Sequence, residues 1–224
     1  MFTRSLLGAT LLATTTLAAP AFAQDWYVQG FLGYSYADDA EHSGNIGGNT
    51  QSVLTDLDED LSYGVSVGRN ITSFGNGLSL RGEVELSYRS NDVNAVDFSG
   101  NGAGNEANPG GDISATYLLG NLIVDVETSS KFTPYFGGGL GVGFFDQNIS
   151  YGNGVTIRGD DEVFTAQLIA GTSYEINDQV SLFGDVRYTR GFDVTGTRTS
   201  PAGTATVSDD LSNTSLNLGV RFTF

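Results

Sequence analysis

Between Leu78 and Arg89 the chain alternates without a fault. Leu78, Leu80, Gly82, Val84, Leu86 and Tyr88 fall on one side of an extended strand, with Ser79, Arg81, Glu83, Glu85, Ser87 and Arg89 on the other. The last residues repeat the pattern: Leu216, Leu218, Val220, Phe222 and Phe224 share one face, and Ser215, Asn217, Gly219, Arg221 and Thr223 share the opposite one. A strand with one apolar and one charged face fits two settings. In a water-soluble sandwich the charges point to solvent; in a membrane barrel they point into the lumen and the apolar side meets lipid. A closing strand that ends on Phe224, with Arg221 on its other face, argues for the barrel.

Residues 1–23 stand apart from the fold. Arg4 supplies a positive start, Leu6 to Leu17 an apolar run too short and threonine-rich to span a bilayer, and Ala21-Phe-Ala23 a small-residue cleavage signal, so the mature chain starts at Gln24. Nothing after it is apolar over the ~18 residues a spanning helix needs. A barrel needs no such run. The absence of cysteine excludes a disulfide framework and thiolate chemistry. Losing Arg4 makes the formal net charge of −16 one unit more negative, which repels nucleic acid and excludes it as a partner.

The remaining strands follow the same rule. In the first, Trp26, Val28, Gly30, Leu32, Tyr34 and Tyr36 alternate with Tyr27, Gln29, Phe31, Gly33 and Ser35. Residues 60–70 return as a second strand. Residues 114–126 are apolar on both sides, and their phase is set by turning Asn121 and Asp125 inward. From Pro134 to Phe145 the inward set is Tyr135, Gly137, Gly139, Gly141 and Gly143, glycines that make room for bulky neighbours. Residues 162–176 and 180–192 complete the count, the latter with Phe183, Asp185 and Arg187 inward. Short turns at 71–77, 127–133 and 177–179 alternate with long polar connections at 37–59, 90–113, 146–161 and 193–212, the asymmetry of an outer-membrane barrel with long surface loops. The expected fold is all-β: an eight-stranded antiparallel up-and-down transmembrane barrel over residues 24–224, with four long extracellular loops and three short periplasmic turns.

Trp26 to Tyr34, Thr133 to Gly143, Val180 to Tyr188 and the terminal strand together resemble the small eight-stranded outer-membrane β-barrel family, which includes the transmembrane domain of outer-membrane protein A and the opacity-type surface antigens. The resemblance implies a place in the cell outer membrane, contact with its lipid and lipopolysaccharide, and passage through the barrel assembly machinery. It makes the alternation at Val220, Phe222 and Phe224 the assembly signal. The chain ends with the last strand, so the peptidoglycan tether of larger relatives is not carried over.

The inward charges Arg81, Glu83, Glu85, Arg89, Asp125, Asp185, Arg187 and Arg221 are the candidate site. Eight strands enclose just enough interior for side chains to fill it, so these groups are expected to pair in a salt-bridged plug, with Arg187 and Arg221 reaching carboxylates across the core. A narrow pore lined by the same residues is the alternative. Catalysis has little to draw on. His42, the sole histidine, lies in a polar connection between Glu41 and Ser43. Gly137 to Gly143 lacks the spacing, the lysine and the helix of a nucleotide loop. Acidic clusters at Asp38-Asp39, Asp56 to Asp60, Asp160 to Glu162 and Asp209-Asp210 read as a solvated collar at the outer rim. Asp56, Asp58 and Asp60 do not make a calcium loop, because Leu61 and Val67 replace its glycine and glutamate. The expectation is a non-enzymatic, monomeric envelope protein with acidic surface loops, no cofactor and no metal; a small-solute channel and a loop-mediated adhesin or ligand-binding surface antigen are the other readings. Intact-mass measurement of membrane-extracted protein is expected to give a chain that starts at Gln24, cut after Ala23; a mass that retains Met1 would remove the export argument.

Overall fold

Period-two alternation joined by turns of a few residues leaves neighbouring strands to pair antiparallel. The computed structural model closes eight of them into a barrel. They are β1 (Trp26–Ala37), β2 (Asp60–Ser73), β3 (Leu78–Ser99), β4 (Gly110–Val126), β5 (Phe132–Ser150), β6 (Thr156–Asn177), β7 (Val180–Ser200) and β8 (Gly203–Thr223). Each pairs with the next, and β1 pairs with β8 from Tyr27 opposite Thr223 to Ala37 opposite Asn213, so within the wall no edge is left. The structure describes residues 26–37, 40–46, 49–57, 60–99, 105–106, 110–150, 154–200 and 203–224, with side chains left out at 37, 40–57, 60 and 93–106. The leader with its junction at Ala23 and Gln24 lies outside the described residues, as do the side chains of Asp38, Asp39, His42, Asp56, Asp58 and Asp60.

The apolar belt faces outward. Val28, Leu32, Val65, Val84, Leu86, Leu118, Leu122, Phe136, Leu140, Leu168, Val186, Leu216 and Leu218 are all exposed, a contiguous greasy surface that water would not tolerate and hydrocarbon would. Aromatic pairs edge it: Phe132 with Tyr174 near the short turns, Tyr63 with Tyr88 and Phe164 with Phe192 near the other rim. Inside, large rings lie over inward glycines of the adjacent strand. A Cβ at Gly64 would sit 2.5 Å from the Phe31 ring, one at Gly68 2.4 Å from Tyr27, and one at Gly219 2.3 Å from Phe183. Glycine is therefore what lets a narrow barrel hold this many aromatic side chains.

The long connections are mostly strand. Of 146–161 and 193–212, which the polar composition reads as loops, residues 146–150, 156–161, 193–200 and 203–212 continue β5 to β8 as a ribbon beyond the belt. On the remaining side a hairpin, Ala40–Ile46 with Asn49–Leu57, joins the outer part of β3 through Ser52 opposite Ser99 to Leu57 opposite Val93. The physical reason is an inversion of polarity. Within the belt polar groups point in and apolar groups out; beyond Phe144 and Phe164 the inward side carries buried Ile113, Ile149, Ile157 and Val194, while Asp112, Asp146, Asn148 and Arg158 face outward. Water now lies outside the wall, so burial of the inner face is what holds the ribbon together.

A bulge in β7 marks the same level. The register shifts between Gly191 and Val194, Asp193 takes a left-handed φ of 56°, and no ladder joins β7 to β6 between Gly191 and Thr197. Acidic side chains take up the displaced amides: Asp193 N–H donates to Asp210 Oδ1 (2.9 Å), and Thr195 N–H and Oγ1 donate to Asp161 Oδ2 (2.8 and 2.7 Å). Arg190 completes the site with a 2.6 Å ion pair to Asp210. Thus two acids of the expected solvated collar bond backbone. The Thr195 hydroxyl and amide hold the Asp161 carboxyl below the usual range; the Asp193 amide, then Arg190, do so for Asp210. Desolvation, then Asp160 and Asp112, raise Asp146. For a depressed acid the stabilising bond is present above its unfolded pKa, about 3.9, and is lost as pH falls through the folded value. The Asp161 side-chain carbon signal is expected to titrate with a midpoint below that of free aspartate, with Thr195 amide exchange accelerating over the same interval. A midpoint at or above the free value would break this account of the bulge.

Candidate functional site: the charged barrel interior

Because β1 to β8 alternate in phase, every second side chain enters the lumen, and the sequence puts charge on β3, β4, β7 and β8. Arg81, Glu83, Glu85, Arg89, Asp125, Asp185 and Arg187 are buried, each 7 % exposed or less, and Arg221 is partly buried. Four arginines stand against four carboxylates, so the interior is formally neutral although the chain is strongly acidic. That balance is what a buried cluster requires, since each uncompensated ion would cost several kcal/mol.

Two layers are distinct. Nearer the short turns, Arg81 Nε donates to Asp125 Oδ2 and Oδ1 (2.8 and 3.1 Å) and its Nη1 meets Glu83 and the Tyr27 hydroxyl. Glu83 also accepts from Tyr27 (2.7 Å), Gln29 (3.2 and 3.3 Å) and Ser66 (3.4 Å), which saturates it. In the middle, Arg187 forks onto Asp185 through Nε and Nη2 (both 2.9 Å), and its Nη1 lies 2.7 Å from Glu85 on β3, the opposite wall. Asp185 further accepts from Tyr135 (3.0 Å) and Asn217 (3.1 Å); Glu85 accepts from Asn121 (2.8 Å) and Gln167 (3.1 Å). The Arg187 guanidinium lies 4.0 Å from the Phe31 ring centroid, an added electrostatic contact in a dry setting.

Two arginines behave otherwise than charge pattern alone suggests. Among the described residues Arg221 makes no ion pair; its Nε donates to Gln29 Oε1 (2.9 Å) and its guanidinium rests over Tyr27 and Phe183, because Arg81 already holds Asp125 and Glu83. Arg89 bonds Thr189 (2.6 Å) and Gln167 (3.2 Å) and lies over Tyr117. The neutral partners Gln29, Asn121, Gln167 and Asn217 are the members that charge counting misses; their inward phase is the signal that finds them. Above the network, Ser35, Asn91 and Asn213 form a small polar set, and Tyr117, Leu119, Phe145, Val163 and Val194 pack as an apolar layer. Among the described residues, no group of three or more His, Cys, Asp or Glu side chains is arranged to hold a metal ion.

Residues 9–224 match the family described as the outer membrane protein beta-barrel domain. The chain belongs to that family. Membership puts it in the cell outer membrane, in contact with that membrane's lipid and lipopolysaccharide. An uncharacterized protein of Brucella suis biovar 1 (strain 1330) is 24% identical over 205 residues, covering 78% of this chain and 70% of the relative. Among solved structures, Neisserial surface protein A is similar at a TM-score of 0.53 and 19% identity, over 89% of this chain and 97% of that one. The outer membrane protein OprG from Pseudomonas aeruginosa gives 0.51 and 18%, over 90% and 97%. The outer membrane protease OmpT from Escherichia coli gives 0.58 at only 9% identity, over 94% and 100%, a likeness of fold.

The cross-lumen pair is open to a direct test. Arg187→Ala leaves Glu85 and Asp185 buried without their cation, and is expected to lower stability by about 3 to 5 kcal/mol in urea-driven unfolding from lipid vesicles, less where water enters. Unchanged stability would mean the pair does not hold the opposite walls.

Proposed function

We propose that the protein is a closed, non-enzymatic and monomeric barrel that reinforces the outer membrane and displays its acidic ribbon outside. The observation that carries this is the neutral, cross-linked interior: the 2.7 Å contact between Arg187 and Glu85 ties opposite walls of the lumen, and an apolar layer packs above it. An eight-stranded wall leaves little room beyond what these side chains fill. The outward apolar positions Val220, Phe222 and Phe224, ending the strand that closes onto β1, are the segment the assembly machinery would read.

The likeness to a protease bears on fold alone, and the sole histidine, His42, stands in the sequence between Glu41 and Ser43 with its side chain outside the described residues. Hydrolysis of a peptide or lipid needs an activated group. The interior carboxylates Glu83 and Glu85 are saturated or ion-paired, and they lie where a polymer could not reach them. Planar-bilayer recording decides between plug and pore. The purified wild-type barrel is expected to show no steady conductance, whereas steady single-channel steps would overturn the plug and favour a small-solute channel. If the closed barrel nevertheless bound a surface ligand, and removal of the outer ribbon abolished that binding, the adhesin reading would replace the structural one.

A further inference from the structure

At the end of the lumen nearest Trp26 and Phe224, two guanidinium groups converge on one ring. The Arg81 guanidinium carbon lies 5.7 Å from the Tyr27 ring centroid and that of Arg221 lies 4.8 Å from the same centroid. Each arginine is already engaged with its own neighbours. Arg81 gives Nε to Asp125 and Nη1 to Tyr27 and Glu83, while Arg221 gives Nε to Gln29. In both, the buried Nη2 is left without a hydrogen-bond partner. Arg81 is 1 % exposed, so its orphaned donor is not at the solvent surface. A buried N–H that bonds nothing is destabilising, more so when charged, and here two of them fall at one end of the lumen.

The nearby carboxylates do not answer these donors. Glu83 already takes bonds from Tyr27, Gln29, Ser66 and Arg81, and Asp125 receives the Nε edge of Arg81. Glu83 and Asp125 balance the two guanidinium charges, but each arginine keeps a spare N–H, and two such donors beside one ring call for an oxyanion acceptor. Planar guanidinium forks match tetrahedral or planar oxyanions and bond them with paired N–H groups. Access follows from position. Arg221 is three residues from the last, pairs with Gln29 and Ser181 next to the short-turn end, and is only partly buried, whereas Arg81 is buried. A small anion entering from the periplasm meets Arg221 first and Arg81 second.

We propose that Arg81 and Arg221 form a receptor for a small phosphate-type oxyanion at the periplasmic mouth of the lumen. Bound there, the anion bridges the two Nη2 donors, relieves the repulsion between the arginines and closes the lower end of the network. The site stands apart from the Arg187 layer, which has its own carboxylates, and it holds whether or not the barrel conducts.

The probe is inorganic phosphate, added at fixed ionic strength to the folded mature protein in an uncharged maltoside detergent. The ³¹P relaxation rate of phosphate is expected to rise with protein and to saturate. In the side-chain spectrum, the Nε–H signals of Arg81 and Arg221 are expected to move with phosphate while those of Arg89 and Arg187 stay in place. Arg221→Gln breaks no ion pair and is expected to weaken phosphate binding at least tenfold. Absence of saturable relaxation, movement of none or all four arginine signals alike, or equal binding by a folded Arg221→Gln protein would overturn the proposal. Should the variant fail to fold, the wild-type relaxation and side-chain signals suffice to support the site or to sink it.

Discussion

Closure of the wall between β1 and β8 is the constraint on which everything else depends. Hydrocarbon offers no hydrogen bonds, so each backbone amide and carbonyl in the belt must be bonded to another strand, and an open edge would leave a row of them unmet. The register from Tyr27 opposite Thr223 to Ala37 opposite Asn213 removes that edge. Closure with only eight strands also fixes how narrow the lumen is. Narrowness then dictates the interior, where glycine faces the rings of Phe31, Tyr27 and Phe183, and where charges appear in equal numbers because few waters can share the space.

The interior and the exterior belt therefore have different tasks. Outside, the demand on a side chain is chiefly hydrophobicity. Inside, each group has named partners: Glu85 is met from β4, β6 and β7, and Asp185 from β5, β7 and β8. Strands that are not neighbours in the wall are coupled through these side chains, which turns a ring of local hairpins into a single cross-braced body.

How much of this could be read from residues alone depended on whether both faces of a strand carried a label. On β3 and β8 the charged and apolar faces are both explicit, so phase, and with it the inward set from Arg81 to Arg89, was legible. On β4 apolar residues occupy both faces, and only Asn121 and Asp125 fixed the phase. The outer ribbon was not legible as strand, because its polarity reverses: Ile149 and Ile157 point inward while Asn148 and Arg158 point out, among enough Asn, Asp and Gly to mimic a loop. Pairing was the least legible layer. Phase gives Arg221 an inward direction, but its height and the prior claim of Arg81 on Asp125 decide that it bonds Gln29 instead.

The reversal of polarity at the outer rim divides the molecule into two regions with different freedom to change. In the ribbon, apart from the acids tied to the bulge, the water-facing side chains serve neither lipid contact nor core packing, while the register beneath them is held by Ile113, Ile149, Ile157 and Val194. Substitution at those outward positions would change the charge and shape of the ribbon's wet face and leave the scaffold standing. Surface chemistry and fold can thus vary independently, one residue at a time.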